Sequence, residues 1–477
     1  MPSTPVIYWL RQDFRLNDNP ALFHAAKEGQ PVIFLYIFDD SSYDWQLGEA
    51  SRWWLHEGLT AFDNAIFARF GARLVLKKGE PLAILQTLIK ETNAGALYWN
   101  RCYEPYYIKR DHQIKLLLKE QNIKVHSFNG ALLKEPWEVL NQSKQPFKVF
   151  TPFWRALQNQ IIRDIYPLPK SILPGPKVDS LPLEKLYLLP SLPWYASLAN
   201  QWQPGEKTAQ DKLKHFLKYN ISDYKTARDY PAQAHTSKLS PHLHFGEISP
   251  VQIWHAAKSI QSKTASHDSD ITHFLSELAW REFSTHQLYH FPELPNTAFK
   301  TAFNKFPWKK NTAHVKAWQK GLTGYPIVDA GMRELWHTGW MHNRVRMIVA
   351  SFLIKHLMQP WQEGERWFWD TLVDADLANN AASWQWVAGS GADAAPYFRI
   401  FNPVIQGQKF DPDGTYVKKW VPELQGLTPK DIHAPWTASD AALKQANIVL
   451  GKTYPSPLVE HAIARERALA AYQKIRK

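Results

Sequence analysis

The first 130 residues alternate short apolar segments with longer amphipathic ones. The apolar segments are mostly unbroken, which is typical of strands buried on both faces of a parallel sheet. Between them, 51–70 and 107–121 carry apolar residues at the three- and four-residue spacing of helices. This order predicts a doubly wound parallel α/β domain with right-handed crossovers. The predicted strands are 6–10, 32–38, 73–76, 96–99 and 125–128.

From about residue 206 the pattern changes to helix after helix, without a convincing series of strands. Ser240-Pro241 is typical of a helix start, with serine at the N-cap and proline in the first turn. We therefore predict a larger all-helical domain over 206–477. Helical periodicity covers 207–218, 250–260, 271–288, 325–338 and 344–357.

The intervening residues, 131–205, hold 11 of the 33 prolines in the chain. Proline fixes φ and removes a backbone donor, so long helices and strands fit poorly there. Phe147, Phe150, Phe153 and Trp154 supply apolar anchors. We predict an extended connector packed between a domain of residues 1–130 and one of residues 206–477.

Charge and composition narrow the choice of partner. The chain has 477 residues, 22 of them tryptophan, and a formal net charge of +12. Residues 1–130 hold 15 Lys+Arg against 14 Asp+Glu, so nearly all of the excess lies beyond residue 130. A basic helical region favours an anionic partner. One cysteine excludes an internal disulfide, and the apolar runs are too short for a membrane span. Without a secretory signal we expect a soluble, cytoplasmic, prokaryote-like protein.

Several familiar motifs are better explained as structure. Residues 389–394 have GxGxxA spacing but follow no strand, so we interpret them as a turn. His286 and His290 are four residues apart, but the glutamate of a zinc-binding HExxH and a third ligand are missing. We predict no metal site.

Two clusters suggest binding chemistry. Residues 236–240, Thr-Ser-Lys-Leu-Ser, precede a helix, where hydroxyl and N–H groups can hold a phosphate; elaborate capping is the alternative. Glu277, Trp280 and Arg281 share one helix face. A carboxyl, an indole and a guanidinium together suit recognition of a nucleic-acid base. A surface ion pair beside a core tryptophan is the alternative for this second cluster.

A third cluster joins residues 339–347 with Asp374 and Asp376. Two arginines and two acids in a helical core are costly unless paired, so such a network suggests a bound cofactor. Trp308, Trp361, Trp384 and Trp386 surround these segments in the sequence. Core packing explains each tryptophan singly, although indoles beside a redox cofactor can also relay electrons.

Taken together, these motifs closely resemble the DNA photolyase/cryptochrome family over nearly the whole chain, in order. Residues 341–347 are similar to the class I-type cyclobutane pyrimidine dimer photolyases and lack the paired histidines of (6-4) enzymes. The motifs that carry the resemblance are residues 8–19, 236–240, 280–283, 324–329, 339–347, 374–386 and 398–403.

The resemblance implies an α/β antenna domain followed by a helical domain that holds U-shaped FAD, active in its reduced form. Arg346 resembles the arginine paired with Asp374, and Asn380 the residue that meets the central ring nitrogen of the flavin. The cofactor-binding set implied in this way is Tyr224, Thr236, Ser237, Lys238, Leu239, Ser240, Arg346, Asp374, Ala375, Asp376 and Asn380.

The implied activity is light-driven repair of pyrimidine dimers flipped out of DNA, by a protein we expect to be a monomer. Glu277 resembles the residue that hydrogen-bonds the dimer carbonyls and stabilises the radical anion. The implied catalytic set is Glu277, Trp280, Asn343, Met347, Asn380 and Trp386. Trp384, Trp361 and Trp308 resemble the electron-transfer chain, in order from flavin to surface. The implied DNA contacts are Arg228, Glu277, Trp280, Arg281, Asn343, Arg344 and Gln406.

A second, antenna chromophore is also implied. One group of folate-binding relatives places a glutamate at the position of Tyr107, whereas Glu104-Pro105-Tyr106 is closer to deazaflavin-type relatives. Methenyltetrahydrofolate and 8-hydroxy-deazaflavin therefore both stay open. Two alternatives to the repair enzyme also stay open, namely a cryptochrome photoreceptor that binds FAD without repair and a flavoprotein that binds DNA nonspecifically.

Overall fold

The structure is a computed structural model that describes residues 4–27, 29–41, 44–262 and 268–476. These residues form two compact units. The first combines Met1–Ile221 with Ser237–Pro292, and the second combines Ser222–Thr236 with Glu293–Lys477.

The first unit is built on a five-stranded parallel sheet in the order β3-β2-β1-β4-β5. Every residue of β1 and β2 is buried, because helices cover both faces of a doubly wound sheet. Trp9 and Trp99 meet edge to face in its core, with ring centroids 5.7 Å apart. The predicted α/β fold is confirmed. The strands are β1 Val6–Leu10, β2 Val32–Phe38, β3 Leu74–Lys78, β4 Ala96–Asn100 and β5 Lys124–Phe128.

Helices follow the strands and then take over the rest of the chain. In chain order they are α1 Pro20–Lys27, α2 Glu49–Phe70, α3 Pro81–Thr92, α4 Pro105–Glu120, α5 Phe150–Gln158, α6 Ala196–Ala199, α7 Glu206–Tyr219, α8 Tyr224–Ala227, α9 Ser240–His244, α10 Pro250–Gln261, α11 Asp268–His290, α12 Thr312–Gln319, α13 Pro326–Thr338, α14 Asn343–Ser351, α15 Trp361–Thr371, α16 Leu377–Ala388, α17 Pro403–Phe410, α18 Thr415–Trp420, α19 Asp440–Gln445 and α20 His461–Arg476. None of the helices described here is both long and apolar enough to cross a membrane.

The proline-rich residues 131–205 run along the first unit. The backbone N–H of Val32 donates to Leu173 O at 2.8 Å, and that of Gly175 donates to Val32 O at 2.9 Å. A Cβ on Gly175 would lie 2.5 Å from the Ile33 side chain, so only glycine allows this approach. Phe153, one of the predicted anchors, is buried in α5. The segment is largely irregular, as predicted, but it contains α5 and α6.

The boundaries of the two compact units differ from those of the predicted regions 1–130, 131–205 and 206–477. The predicted division into domains stays a prediction. One reason for the difference is that α5 packs against α11 within the first unit. Phe150 and Trp280 stack across that contact, with centroids 3.8 Å apart. The sequence pattern separates strands from helices, whereas compactness depends on which helices bury their apolar faces together.

The second unit has a helical core built around α13, α14, α15 and α16. Met341, Val345, Trp361 and Trp384 are among its buried side chains. Short 3-10 helices (Thr301–Lys305, Pro422–Leu424 and Pro435–Thr437) connect some of the longer helices.

Two local predictions need correction. The single helix predicted over 344–357 is α14 followed by a π-helical turn, Phe352–His356. Five residues are too few to distinguish the π-helical period from that of an α-helix. Ser240 is the first residue of α9 rather than its N-cap, which is Leu239. The Ser240-Pro241 pair correctly located the start of a helix. The helix nevertheless begins at Ser240 itself, one residue earlier than a serine N-cap would place it.

Candidate functional site

The contact between α15 and α16 is unusually close because it contains a glycine. A Cβ on Gly364 would lie 2.0 Å from the Trp384 ring. Gly364 follows Trp361 by three residues on α15, so both lie on the face turned toward the core. Trp361 and Trp384 are both nearly inaccessible to solvent. Two residues of the predicted electron-transfer chain therefore belong to one packed core.

A buried acid without a partner lies next to this contact. Glu365 on α15 is 0% exposed, and neither carboxylate oxygen has a hydrogen-bond partner among the described residues. Burial raises its pKa well above the usual range, which favours the protonated carboxyl. The side-chain amide of Asn380 on α16 donates to the backbone oxygen of Glu365 at 2.9 Å. The predicted flavin-facing asparagine is thereby fixed beside an unsatisfied carboxyl.

The predicted pairing of Arg346 with Asp374 is present. Arg346 Nη2 donates to Asp374 Oδ2 at 2.8 Å and to Oδ1 at 3.1 Å, while its Nε donates to Met341 O at 2.7 Å. The Asp374 side chain is 3% exposed and the Arg346 side chain 24%. The acid is thus buried with its charge compensated, and the guanidinium stays partly accessible.

Asp376 and Ala375 complete this loop. Asp376 caps α16 by accepting hydrogen bonds from the backbone and side-chain N–H groups of Asn379, both at 2.8 Å. Ala375 is buried. The cap fixes the start of the helix that carries Asn380 and Trp384.

These residues fit a flavin. A flavin ring offers both donors and acceptors, which the unsatisfied carboxyl of Glu365 and the partly exposed guanidinium of Arg346 can use. A buried polar group without a partner is expensive unless a ligand satisfies it. Sequence reasoning missed Glu365, because nothing in its sequence context marks it as buried.

A polar group in the same unit involves the predicted DNA contacts Arg228 and Arg344. Arg344 Nη2 donates to Asp229 Oδ2 at 2.7 Å. The Arg228 guanidinium lies 5.4 Å from the ring centroid of the buried Tyr224. Burial, with the nearby charge of Arg228, lowers the pKa of His342 to about 4. His342 is therefore neutral at neutral pH and does not add to the positive charge.

The remaining lesion and DNA candidates of the second unit are accessible to different degrees. Asn343 is exposed at the first turn of α14, whereas Met347 is half-buried. Trp386 on α16 and Gln406 on α17 are also half-buried. Each of them can be contacted from solvent, as a wall or edge of a DNA-binding surface must be.

The Glu277, Trp280 and Arg281 cluster lies on α11 of the first unit. Glu277 Oε1 is 3.8 Å from His273 Nε2, and the Glu277 side chain is 30% exposed. Trp280 is covered on one side by Phe150. Glu277 therefore has the accessibility of a binding residue, and Trp280 has a rigid ring position.

Arg281 is held differently from the other predicted DNA contacts. Its Nη1 donates to Ala131 O at 2.8 Å and to Glu282 Oε1 at 3.1 Å. Glu282, which sequence reasoning did not single out, also accepts from the Leu133 N–H at 2.7 Å, and burial raises its pKa to about 7. These bonds give Arg281 a structural role, and its contact with DNA stays a prediction.

The predicted phosphate-binding segment divides between the units. Thr236 belongs to the second unit, while Ser237, Lys238, Leu239 and Ser240 belong to the first. Lys238 is exposed and has a φ of 51°, a left-handed conformation that is uncommon outside glycine. Leu239 is buried. The helix that follows has only five residues, so its dipole alone makes a weak anion site.

The two histidines with zinc-like spacing bind backbone groups instead. His286 Nδ1 lies 3.2 Å from Pro136 O, and His286 Nε2 accepts from the Phe147 N–H at 3.1 Å. His290 Nε2 lies 3.1 Å from the same Pro136 oxygen. Burial lowers the pKa of His286 to about 4. Both rings thus fasten the connector to α11. The predicted turn at residues 389–394 begins with Gly389, the C-cap of α16, at φ 83°.

The first unit contains a cavity of about 200 Å³ at the carboxyl ends of its strands, where ligands of doubly wound sheets bind. Arg110 lies 4.7 Å from the ring centroid of Tyr107 and 5.0 Å from that of Trp9. Asp39 accepts from Arg110 Nη1 and from the Tyr106 hydroxyl, both at 2.9 Å. Further lining residues are Arg11, Tyr36, Phe38, Arg52, Lys78 and Cys102. Aromatic walls with several cations suit a planar, anionic ligand.

Comparison with known proteins identifies the family. The family model for DNA photolyase matches residues 6–172, and that for the FAD binding domain of DNA photolyase matches residues 274–474. The deoxyribodipyrimidine photo-lyase of Agrobacterium fabrum is 50% identical over 480 residues, covering 100% of this chain and 99% of the relative. Cryptochrome-1 of Arabidopsis thaliana is 38% identical over 466 residues, covering 95% of this chain and 68% of the relative.

Solved structures give the same result. A bacterial class III photolyase from Agrobacterium tumefaciens superposes with a TM-score of 0.96 and is 50% identical, covering 100% of this chain and 98% of that one. An archaeal photolyase from Sulfolobus tokodaii, solved with two FAD molecules, has a TM-score of 0.81 and 30% identity, covering 99% of this chain and 100% of that one. The motif resemblance favours class I, whereas the 50% identical structure is class III. This chain belongs to the DNA photolyase/cryptochrome family.

Proposed function

We propose that this protein repairs cyclobutane pyrimidine dimers in DNA with light, as a class III-type photolyase. The observation that carries the proposal is 50% identity to a deoxyribodipyrimidine photo-lyase over the whole chain. The Arg346–Asp374 pair and the Asn380–Glu365 contact support it, because both place polar groups where a flavin can use them.

Arg346, Asp374 and Asn380 would hold the ring system of FAD. Tyr224 and Thr236–Ser240 would hold its phosphate and ribityl parts. When bound in its reduced form and excited by blue or near-UV light, FAD would supply the electron for opening the cyclobutane ring and would recover it afterwards. Asp374 keeps Arg346 oriented, and the buried position of Asn380 keeps water away.

The residues proposed to recognise the lesion are those implied by the family motifs on α11, α14 and α16. Glu277 hydrogen-bonds the carbonyl groups of the dimer, and Trp280 and Trp386 provide apolar walls. Asn343 and Met347 border the same lesion. A damaged base pair stacks poorly, which lowers the cost of flipping the dimer out of the duplex.

Phosphate contacts come from Arg228, Arg344 and Gln406, with Arg281 as a further candidate. Each cationic contact releases a counterion, so affinity for DNA falls steeply as salt rises. Arg344 keeps part of its guanidinium accessible while Asp229 orients it. The preference for a dimer then depends on Glu277 and the apolar walls rather than on these charges.

Trp384, Trp361 and Trp308 carry electrons between the flavin site and the surface. Trp384 and Trp361 are buried in one core, and Trp308 packs against that core while remaining half-buried. The greater exposure of Trp308 supports its place as the outermost of the three.

The cavity of the first unit is the proposed antenna site. Its aromatic and cationic lining suits a folate, a deazaflavin or a flavin nucleotide. Burial raises the pKa of Cys102 to about 12, so its thiol stays neutral beside such a ligand. An absorption spectrum of the purified protein distinguishes these chromophores.

The most specific test replaces Glu277, which is proposed to hydrogen-bond the dimer carbonyls. Glu277→Ala removes a charged hydrogen bond, worth about 1.5–3 kcal/mol, so the quantum yield of repair falls by roughly tenfold or more. FAD occupancy, measured by absorbance, stays near the wild-type value. Glu120→Ala, at an exposed position of α4, is the matched control and leaves both quantities unchanged. Equal repair by Glu277→Ala would contradict the role of this residue.

Binding experiments separate the alternatives. A lesion-specific enzyme binds a dimer-containing oligonucleotide more tightly than undamaged DNA at every salt concentration. A nonspecific DNA-binding flavoprotein binds both equally, with the same salt dependence. A cryptochrome photoreceptor, the other alternative, would bind FAD but restore no thymine absorbance under light.

A further inference from the structure

A phenylalanine of the proline-rich connector stacks on Trp280, one of the proposed walls of the lesion site. Phe150 is the first residue of α5, and its ring centroid lies 3.8 Å from that of Trp280, with the planes inclined by 9°. Phe283 packs against both rings in a T-shaped arrangement, 5.8 Å from Trp280 and 5.9 Å from Phe150. The three rings form one packed aromatic group within the first unit.

The backbone that leads to Phe150 is fastened to α11. The N–H of Phe147 donates to His286 Nε2 at 3.1 Å, and Phe147 O accepts from the side-chain amide of Gln287 at 2.9 Å. Both partners on α11 are buried. Phe147 precedes Phe150 by three residues, so these bonds set the place where α5 begins. The helix that carries Trp280 therefore also fixes the position of the ring that stacks on it.

This stacking leaves one face of the Trp280 ring for a ligand. An indole has two broad faces, and the face in contact with Phe150 is closed to a base. Trp280 is nevertheless only half-buried, so part of its ring can be reached from solvent. Glu277 precedes it by three residues on the same side of α11, and its side chain is 30% exposed. The indole and the carboxyl proposed to recognise a dimer thus share one side of a helix whose other contacts hold the connector.

We propose that Phe150 is a positioning residue for recognition of the dimer and that it acts through the Trp280 ring. This inference rests on the proposed repair function and on the proposed place of Trp280 in the lesion site. An indole without a stacked partner can turn about its side-chain bonds, and DNA binding must then order it. With Phe150 in contact, the ring is ordered before DNA arrives. A dimer that is flipped out of the duplex then meets a preformed apolar wall.

This role affects binding of the dimer and little else. Undamaged DNA keeps its bases in the duplex, so its affinity depends on phosphate contacts rather than on the Trp280 ring. Ordering one large side chain, or losing one aromatic stack, changes an equilibrium constant by up to about tenfold. The quantum yield for a dimer that is already bound depends on the flavin and on Glu277. Phe150 and Glu277 are therefore distinguishable, because one changes affinity and the other changes yield.

Titration of the FAD holoprotein in the dark with dimer-containing and undamaged oligonucleotides tests the proposal. Phe150→Ala weakens binding of the dimer about 3- to 10-fold. Affinity for undamaged DNA and the quantum yield of repair at saturating DNA stay at the wild-type values. Phe150→Tyr keeps the stacked ring and restores the affinity for the dimer. Trp137→Ala is the matched control and behaves as wild type, because this connector ring packs against α11 at Tyr289 instead.

A double-mutant cycle tests whether Phe150 acts through Trp280. In a Trp280→Ala background, Phe150→Ala weakens binding of the dimer no further, because the ring that Phe150 positions is already gone. Losses that simply add would contradict the proposed route. Phe150→Leu fills most of the space without a flat ring and keeps the test valid if the alanine variant folds poorly. Its affinity for the dimer lies between those of Phe150→Ala and the wild type.

Three results would overturn the positioning role. They are unchanged binding of the dimer by Phe150→Ala, tighter binding, which would mean that the phenyl ring occupies the place of a base, and equal losses for damaged and undamaged DNA, which indicate a general effect on the fold. If the wild type prefers and repairs the dimer while Phe150→Ala gives any of these results, the proposed function stands and the role of Phe150 is wrong. If the wild type neither prefers nor repairs the dimer, the proposed function fails and this inference fails with it.

Discussion

Two buried ionisable side chains, Arg15 in the first unit and Glu365 in the second, have opposite hydrogen-bond environments. The Arg15 guanidinium donates to Asp18 O at 2.8 Å, to Gly246 O at 2.9 Å and to Gly130 O at 2.6 Å. Glu365 is equally buried, yet its carboxyl has no partner in the described part of the chain. A buried ionisable group whose hydrogen-bond partners all come from the chain itself stabilises the fold. One that the chain leaves unsatisfied points to a ligand.

The first prediction tests the structural side of this comparison and has the largest expected effect. Arg15→Ala removes the donors and leaves the buried backbone oxygens of Asp18, Gly130 and Gly246 without this partner. The free energy of unfolding should fall by about 3–5 kcal/mol, which chemical denaturation measures. Arg155→Ala, at an exposed position of α5, should change it by less than about 0.5 kcal/mol. Similar losses in both variants would show that the Arg15 network does not stabilise the fold.

The second prediction concerns a buried acid that is paired within the candidate flavin site. Asp374→Asn keeps the shape of the side chain but removes the charge that orients Arg346. Loss of a charged hydrogen bond of about 1.5–3 kcal/mol should weaken FAD binding by roughly 10- to 100-fold. Titration of the apoprotein with FAD measures this. Asp413→Asn, at an exposed position, is the control, and equal FAD affinity in both variants would remove Asp374 from the site.

The third prediction is a substitution that should stabilise the apoprotein, whereas Arg15→Ala should destabilise the fold. Glu365→Met replaces an unsatisfied carboxyl with an apolar chain of similar size, so the apoprotein should be more stable by about 1–3 kcal/mol. The folded pKa of Glu365 is raised, so its protonated form is the one that folding favours, and wild-type stability falls as pH rises above 4.5. The advantage of Glu365→Met should therefore shrink as pH falls toward 4.5.

FAD provides the control for this third variant. In the holoprotein a ligand that satisfies the carboxyl should cancel the gain, so Glu365→Met and wild type should have similar unfolding temperatures. A variant that is destabilised without FAD would show that Glu365 has a structural partner after all.

The sequence predicted the positions of strands and helices better than it predicted the contacts and burial of individual side chains. The strands at 6–10 and 32–38 coincide with β1 and β2, because unbroken apolar runs identify buried parallel strands directly. The pairing of Arg346 with Asp374 also followed from a motif resemblance. Glu365 could not be found in this way, since its burial depends on Gly364 allowing α15 to approach Trp384.

Contacts between segments that are distant in the sequence were also missed, because they depend on how the helices pack. Tyr397 and Tyr472 are 75 positions apart and become neighbours only when α20 packs back onto the core. Arg281 was assigned to DNA from its motif and helix face, but its Nη1 donates to Ala131 O and to Glu282 Oε1. Residue spacing predicts which side chains share a helix face. It does not predict which other segment of the chain packs against that face.

The proposed repair reaction is tested most directly by counting turnovers without a reductant. Chemically reduced holoprotein is freed of excess reductant under anaerobic conditions and illuminated with an excess of dimer-containing oligonucleotide. Restored thymine absorbance should correspond to many repaired dimers for each FAD in the light and none in the dark, because each electron returns at the end of its cycle. Repair that stops at one dimer for each FAD, or that never occurs, would contradict the account.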